Sequence, residues 1–133
     1  MLPEVVELIS DSRSIREIDQ NLKFNHSFFN KKIGKPALIE AWERSAKFPK
    51  TRVRDRGMYF LCLITGETNL ERAKEIGGYK HDDRRSYIIY EDHDRHFIDD
   101  LKEITSIPYT NLSDEGKTFY FEMTMVELEL IHK

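Results

Sequence analysis

Lys50, Arg52, Arg54 and Arg56 alternate along one stretch of the chain. In an extended segment side chains two apart point the same way, so the four cations would project to one side and could follow a phosphate backbone, with Thr51, Val53 and Asp55 facing the other. The same alternation also makes a solvated, charged edge that discourages strand pairing. Phe48 and Tyr59 lie close enough in sequence to stack on bases, or to belong to the core.

A second group has the residue types of a metal site: His81-Asp82-Asp83, then Glu91-Asp92-His93-Asp94-Arg95-His96. Metal-dependent phosphodiester cleavage needs clustered carboxylates, so a nuclease or hydrolase would draw on Asp82, Asp83, Glu91 and His93. The spacing does not support a zinc helix, because His93 and His96 are three apart and lack the His-Glu-x-x-His pattern. Asp92 also has the right place to cap a helix whose first turn holds the other charges. The expectation is therefore no bound metal and no cofactor. Neither a serine or cysteine nucleophile elbow nor a glycine-rich loop with its lysine is present, and Gly77-Gly78 reads as a helix stop. Cys62, the one cysteine, lies within Met58-Tyr-Phe-Leu-Cys-Leu-Ile64 and reads as a small buried hydrophobe.

The formal net charge of −3 argues against a surface given over entirely to nucleic acid. Between Lys47 and Arg56, however, five cations face a single Asp55, which suits a small and directed polyanion contact. No run approaches the roughly 18 to 20 apolar residues of a membrane span, and Met1-Leu2-Pro3-Glu4 lacks a basic leader, so the expected location is the cytoplasm, with no membrane partner.

At 133 residues the chain suits one core, and residues 1–133 are read as one α/β domain. Glu4 to Ile9 reads as a strand. Ser14 and Glu17 make a capping box for a helix bearing Ile15, Ile18 and Leu22. The segment 25–33 is a loop or short strand, and Pro36 opens a helix with Ala37, Leu38, Ala41, Trp42 and Ser45 on one face. The apolar run Met58 to Ile64 predicts a central strand covered on both sides, ended by Thr65-Gly66. Thr68 and Glu71 then cap a short helix, and Ser86 to Tyr90 is a further strand. That order predicts a right-handed crossover with the two strands parallel. A helix from Asp92 follows, carrying Phe97, Leu101 and Ile104, with Pro108 in the next loop. From Ser113 the pattern fits strand and helix alike; the cap and acids at Ser113-Asp114-Glu115 favour a helix with Phe119, Met123, Val126 and Leu130 in one row.

Several of these stretches together resemble the small kinase-binding subunit of the KEOPS complex, the assembly that installs threonylcarbamoyl on a tRNA adenosine. They are the helix Ala37-Leu-Ile-Glu-Ala-Trp-Glu-Arg-Ser45, the basic Lys50-Thr51-Arg52, and Met58-Tyr-Phe-Leu-Cys-Leu-Ile-Thr-Gly66. Asn69-Leu-Glu-Arg-Ala73, Gly77, the strand Ser86-Tyr-Ile-Ile-Tyr90 and the terminal Met125-Val-Glu-Leu-Glu-Leu130 continue the likeness. It covers about two fifths of the chain plus its tail. Two departures stand out: Tyr59 where the family carries a glutamate, and Glu67-Thr68-Asn69 where it has a more basic or amide-rich turn.

The elements read above make a small mixed sheet flanked by helices, and the resemblance implies a non-catalytic regulatory subunit. Its partners would be the small atypical kinase of the complex and the single-stranded 3′ CCA end of tRNA. Lys50, Arg52, Arg54 and Arg56 would then serve the RNA, since single strands are held by cations on the backbone together with base stacking. Trp42 on the helix from Pro36, and Met123, Val126 and Leu130 on the methionine-rich last helix, are the candidates for the kinase, or else for the core. Beside this stand two other readings: the nuclease or hydrolase, and a partner-binding protein that touches no RNA.

Overall fold

The computed structural model of the chain describes residues 2–9, 12–22, 24–47, 55–79, 85–91 and 104–132. Four strands, β1 (Glu4–Ile9), β2 (His26–Phe29), β3 (Arg85–Tyr90) and β4 (Thr105–Pro108), form one sheet in the order β2-β3-β1-β4. Among the described residues five helices accompany it: α1 (Ser12–Asn21), α2 (Lys35–Ser45), α3 (Arg56–Thr65), α4 (Leu70–Gly77) and α5 (Gly116–His132). The chain is thus an α/β protein with a small sheet flanked by helices, as its pattern predicts.

Both faces of the sheet are buried. Along β3 the side chains alternate, Tyr87 and Ile89 entering one apolar cluster and Ile88 and Tyr90 the other. The larger cluster joins them to Val5 and Phe29 and to residues of α2, α3, α4 and α5. The smaller holds Leu8, Phe28 and Ile104 with Ile15 of α1, so among the described helices it is α1 that packs on that face.

The sheet departs from the expected mixed pairing. All three described strand pairs are antiparallel, with Val5 opposite Ile89, Phe28 opposite Ile88 and Glu7 opposite Ile107. The cause is the segment Met58 to Ile64, which is not a strand but the body of α3. Its residues from Tyr59 to Ile64 are all buried, and a helix enclosed on every side carries no polar stripe to betray its period. With no strand there, no parallel crossover to β3 exists. The strand fully buried on both faces from Ser86 to Tyr90 is β3.

α3 is placed by two glycines and a cap. Asp55 accepts from the backbone N–H of Gly57 at 2.8 Å. At Gly57 the helix runs so close to β2 that a Cβ would lie 2.3 Å from the carbonyl oxygen of His26. Gly66 ends the helix at φ 76°, the left-handed conformation that glycine adopts without penalty.

Elsewhere the corrections are smaller. Ser14 lies inside α1, which begins at Ser12. The cap of α4 is Asn69, whose side chain accepts from the Arg72 N–H at 3.1 Å, and not Thr68. Pro108 closes β4, an edge strand where the missing N–H costs no ladder bond. α5 is a helix as expected; Asp114 accepts from the Gly116 N–H at 2.9 Å, and Glu115 turns back to accept from the N–H of Gly34. Of the helix expected from Asp92 with Phe97, Leu101 and Ile104 facing the core, only Ile104 is among the described residues; it does face the core, in the smaller cluster, but at a bend directly before β4 and not as part of a helix.

Candidate functional site

The sequence assigns Arg56 to phosphate, and the structure assigns it elsewhere. It is the first residue of α3, its side chain 17% exposed. Its guanidinium lies 4.1 Å from the centroid of the Trp42 ring and donates to the Trp42 carbonyl at 2.8 Å, to Ser45 Oγ at 3.0 Å and to Glu91 Oε1 at 3.2 Å. Glu91 Oε1 also accepts from Trp42 Nε1 at 2.8 Å. An arginine in a partly desolvated pair, stacked on an indole and using its whole fork, is a structural tie and offers nothing to a ligand. It fastens the start of α3 to the end of α2 and to the residue after β3. The period-two stripe fails at this position because the chain has already turned helical there. Lys50, Arg52 and Arg54 lie outside the described residues.

The metal reading meets the same node. Glu91 is committed to Trp42 and Arg56, while Asp82, Asp83 and His93 lie outside the described residues. Among the described residues no group of three or more histidine, cysteine or carboxylate side chains could hold a metal ion. Cys62 is fully buried, and desolvation pushes its thiol up to about 11, leaving no thiolate nucleophile at neutral pH.

The four residues assigned to a partner are all interior. Trp42 and Met123 are fully enclosed, and Val126 and Leu130 are buried beside them in the larger cluster. Trp42 meets Phe60 edge to face at 5.8 Å. The residues are right for the core and wrong for a docking surface. Tyr59 is likewise buried, so its departure from the family pattern, and its proposed stacking on bases, concern the interior of α3 and no exposed contact.

What was not read from sequence is the opposite side of α5. Phe121, Met125 and Leu128 stand 64%, 51% and 47% exposed. Their spacing of four and three places them in one stripe, which the buried row Met123, Val126 and Leu130 does not share. Val126 reaches the floor of a groove that runs between this stripe and the C-terminal turn of α3, lined also by Thr65, Gly66, Met125 and Leu128 with Glu122 and Glu129 on its rim. The signal lay in the sequence all along: from Phe119 to Leu130 apolar residues occur on more of the helix circumference than one packed face needs.

α5 is held firmly behind that stripe. Arg44 of α2 binds Glu40 at 2.9 Å, then reaches across to Thr124 Oγ1 at 2.9 Å and Glu127 at 3.4 Å. Ahead of the helix, Tyr109 donates its hydroxyl to the carbonyl of Ile33. Among the described residues no helix is long and apolar enough to cross a membrane.

No protein-family model matches this sequence, and a search of the curated proteins found no relative.

Proposed function

We propose that this chain is a non-catalytic docking subunit that presents the exposed stripe of α5 to a protein partner. The observation that carries the reading is the stripe itself, three large apolar side chains in line on a helix that Arg44 holds in place. Contiguous apolar surface of this kind mainly marks interaction sites, and a methionine at its centre adapts to the facing surface. Glu122 and Glu129 make one rim of the groove acidic, so the facing surface should be apolar and bordered by cations.

The resemblance in sequence supplies the identity proposed for that partner, the small atypical kinase of a KEOPS-like tRNA-modifying complex. The same resemblance supports a second contact, of the 3′ CCA end of tRNA with Lys50, Arg52 and Arg54. Arg56 is withdrawn from that set because its charge is already used.

Replacing Phe121 and Leu128 together by aspartate tests the first contact. The double variant should keep its circular dichroism and lose pull-down of its host's kinase; full retention of binding by the folded variant overturns the α5 surface. For the RNA contact, tRNA affinity should fall with salt at a slope of roughly −0.7 per phosphate, for about two to three contacts. Arg52→Glu with Arg54→Glu should lower both affinity and slope, and tRNA trimmed of CCA should bind worse than intact tRNA. Equal binding of trimmed and intact tRNA removes the RNA contact and leaves a docking protein.

A further inference from the structure

A cleft of about 320 Å³ opens between α1, β2 and the starts and ends of α3 and α4. Arg16 and Asp19 of α1 form one wall, Lys74, Gly78 and Tyr79 another, and His26 of β2 lies between them with Asp55 and Gly57 at the start of α3. His26 is mostly buried, 14% exposed, and meets the edges of Phe24 and Phe28.

Both of its ring nitrogens face oxygen acceptors. Nδ1 lies 2.9 Å from the carbonyl oxygen of Phe24, which can only accept. Nε2 lies 2.6 Å from a carboxylate oxygen of Asp19. A neutral imidazole has one N–H and could satisfy one of these; the other would set lone pair against lone pair. Satisfying both needs one proton more than a neutral histidine and a carboxylate hold between them.

We propose that His26 and Asp19 form a proton-dependent latch that holds α1 against the sheet edge and closes one wall of the cleft. α1 also packs through Ile15, Ile18 and, just past its end, Leu22 in the smaller cluster, and these apolar contacts do not change with pH. Among the described residues, the charged and titratable groups around the ring are Arg16 and Asp19 from α1, Asp55 from the start of α3, Lys74 from α4, Tyr79 beyond it, and Tyr90 paired opposite His26 on β3. Tyr90 gives its hydroxyl to Glu4. Burial disfavours the imidazolium, but the bonds to Asp19 and to the Phe24 carbonyl, with the charges of Asp19 and Asp55, outweigh it and raise the histidine above its ordinary value. A raised pKa in the closed state means that the latch is fully made below the ordinary histidine value and is lost as pH rises through the raised one.

The test follows the His26 ring by NMR titration and the α1 amides by hydrogen exchange, corrected for intrinsic rates, in the full chain. His26 should titrate above the usual value of about 6.5. Protection of the α1 amides should fall several-fold relative to β3 as pH crosses that midpoint. Asp19→Asn, at a carboxylate 40% exposed, should fold, bring the His26 midpoint down and leave α1 with low protection at every pH. His26→Gln should remove the pH dependence in the same way. Titration of His26 at or below about 6.5, or a wild-type-like pH dependence of α1 in either variant, overturns the latch.

Discussion

α3 and α5 are built from the same kind of side chain and treated in opposite ways. α3 is apolar around its circumference and covered around its circumference, by β2, α2, α4 and α5. α5 is covered along Met123, Val126 and Leu130 and bare along Phe121, Met125 and Leu128. In one helix every apolar residue is spent on the fold. In the other, three of the eight apolar side chains described, Phe121, Met125 and Leu128, are left over, and surplus apolar surface on a rigid helix is what an interaction site requires. The comparison also separates two arginines: Arg56, at the start of the covered helix, is consumed in the node with Trp42 and Glu91, whereas Arg44 lies behind the bare helix and fixes its position.

Removing a side chain from the covered helix should have the largest effect. Phe60→Ala opens a void between Phe29 and Trp42, which flank its ring at 5.4 and 5.8 Å, and should cost about 3–5 kcal/mol in denaturant unfolding. A cost near that of a surface substitution would mean that α3 is not enclosed.

Next comes the node at its start. Arg56→Ala leaves the Glu91 carboxylate with Trp42 Nε1 in place of two partners and deprives the Trp42 carbonyl of a charged donor, at a cost of about 2–3 kcal/mol. Arg56→Lys keeps the charge but loses the fork and the flat stacking, and should recover only part. If Arg56→Ala instead left stability intact and weakened tRNA binding, the residue would belong to the basic stripe after all.

The smallest effect on stability is expected from the bare stripe. Leu128→Ser should change unfolding free energy by no more than about 0.5 kcal/mol, the usual range for an exposed site, while weakening capture of the partner. Its neighbour across the helix, Leu130→Ser, places a hydroxyl in the core and should destabilise by several times as much. Equal costs at 128 and 130 would erase the distinction between the two faces of α5.

Much of the fold was legible because local rules were strong. β1 and β3 announce themselves by β-branched and aromatic composition, α2 by Pro36 and the row Ala37, Leu38, Ala41, Trp42, and the end of α4 by its paired glycines. α5 was legible too, although its residues fit both periods, because the acids before it point to a helix start. α3 was misread. Its period is hidden by complete burial, and the one signal that separates helix from strand there, the Asp55 cap two residues before a glycine, looks in sequence like the end of a charged stripe.

The candidate site shows the same division. From the sequence alone came the α/β class, the buried thiol, the amphipathic row of α5 and the presence of a basic stretch before Asp55, since each depends on neighbours along the chain. Only the tertiary structure decided which apolar residues face inward, that Arg56 is paired and stacked, and that Phe121, Met125 and Leu128 stay bare. Periodicity states which side chains share a face of a helix, but not how many of its faces the rest of the molecule will cover. That is settled by elements far away in the chain: β3 brings Glu91 to Trp42 and Arg56, and α2 brings Arg44 to Glu127. Those contacts join residues 35 to 83 positions apart, and no local pattern encodes them.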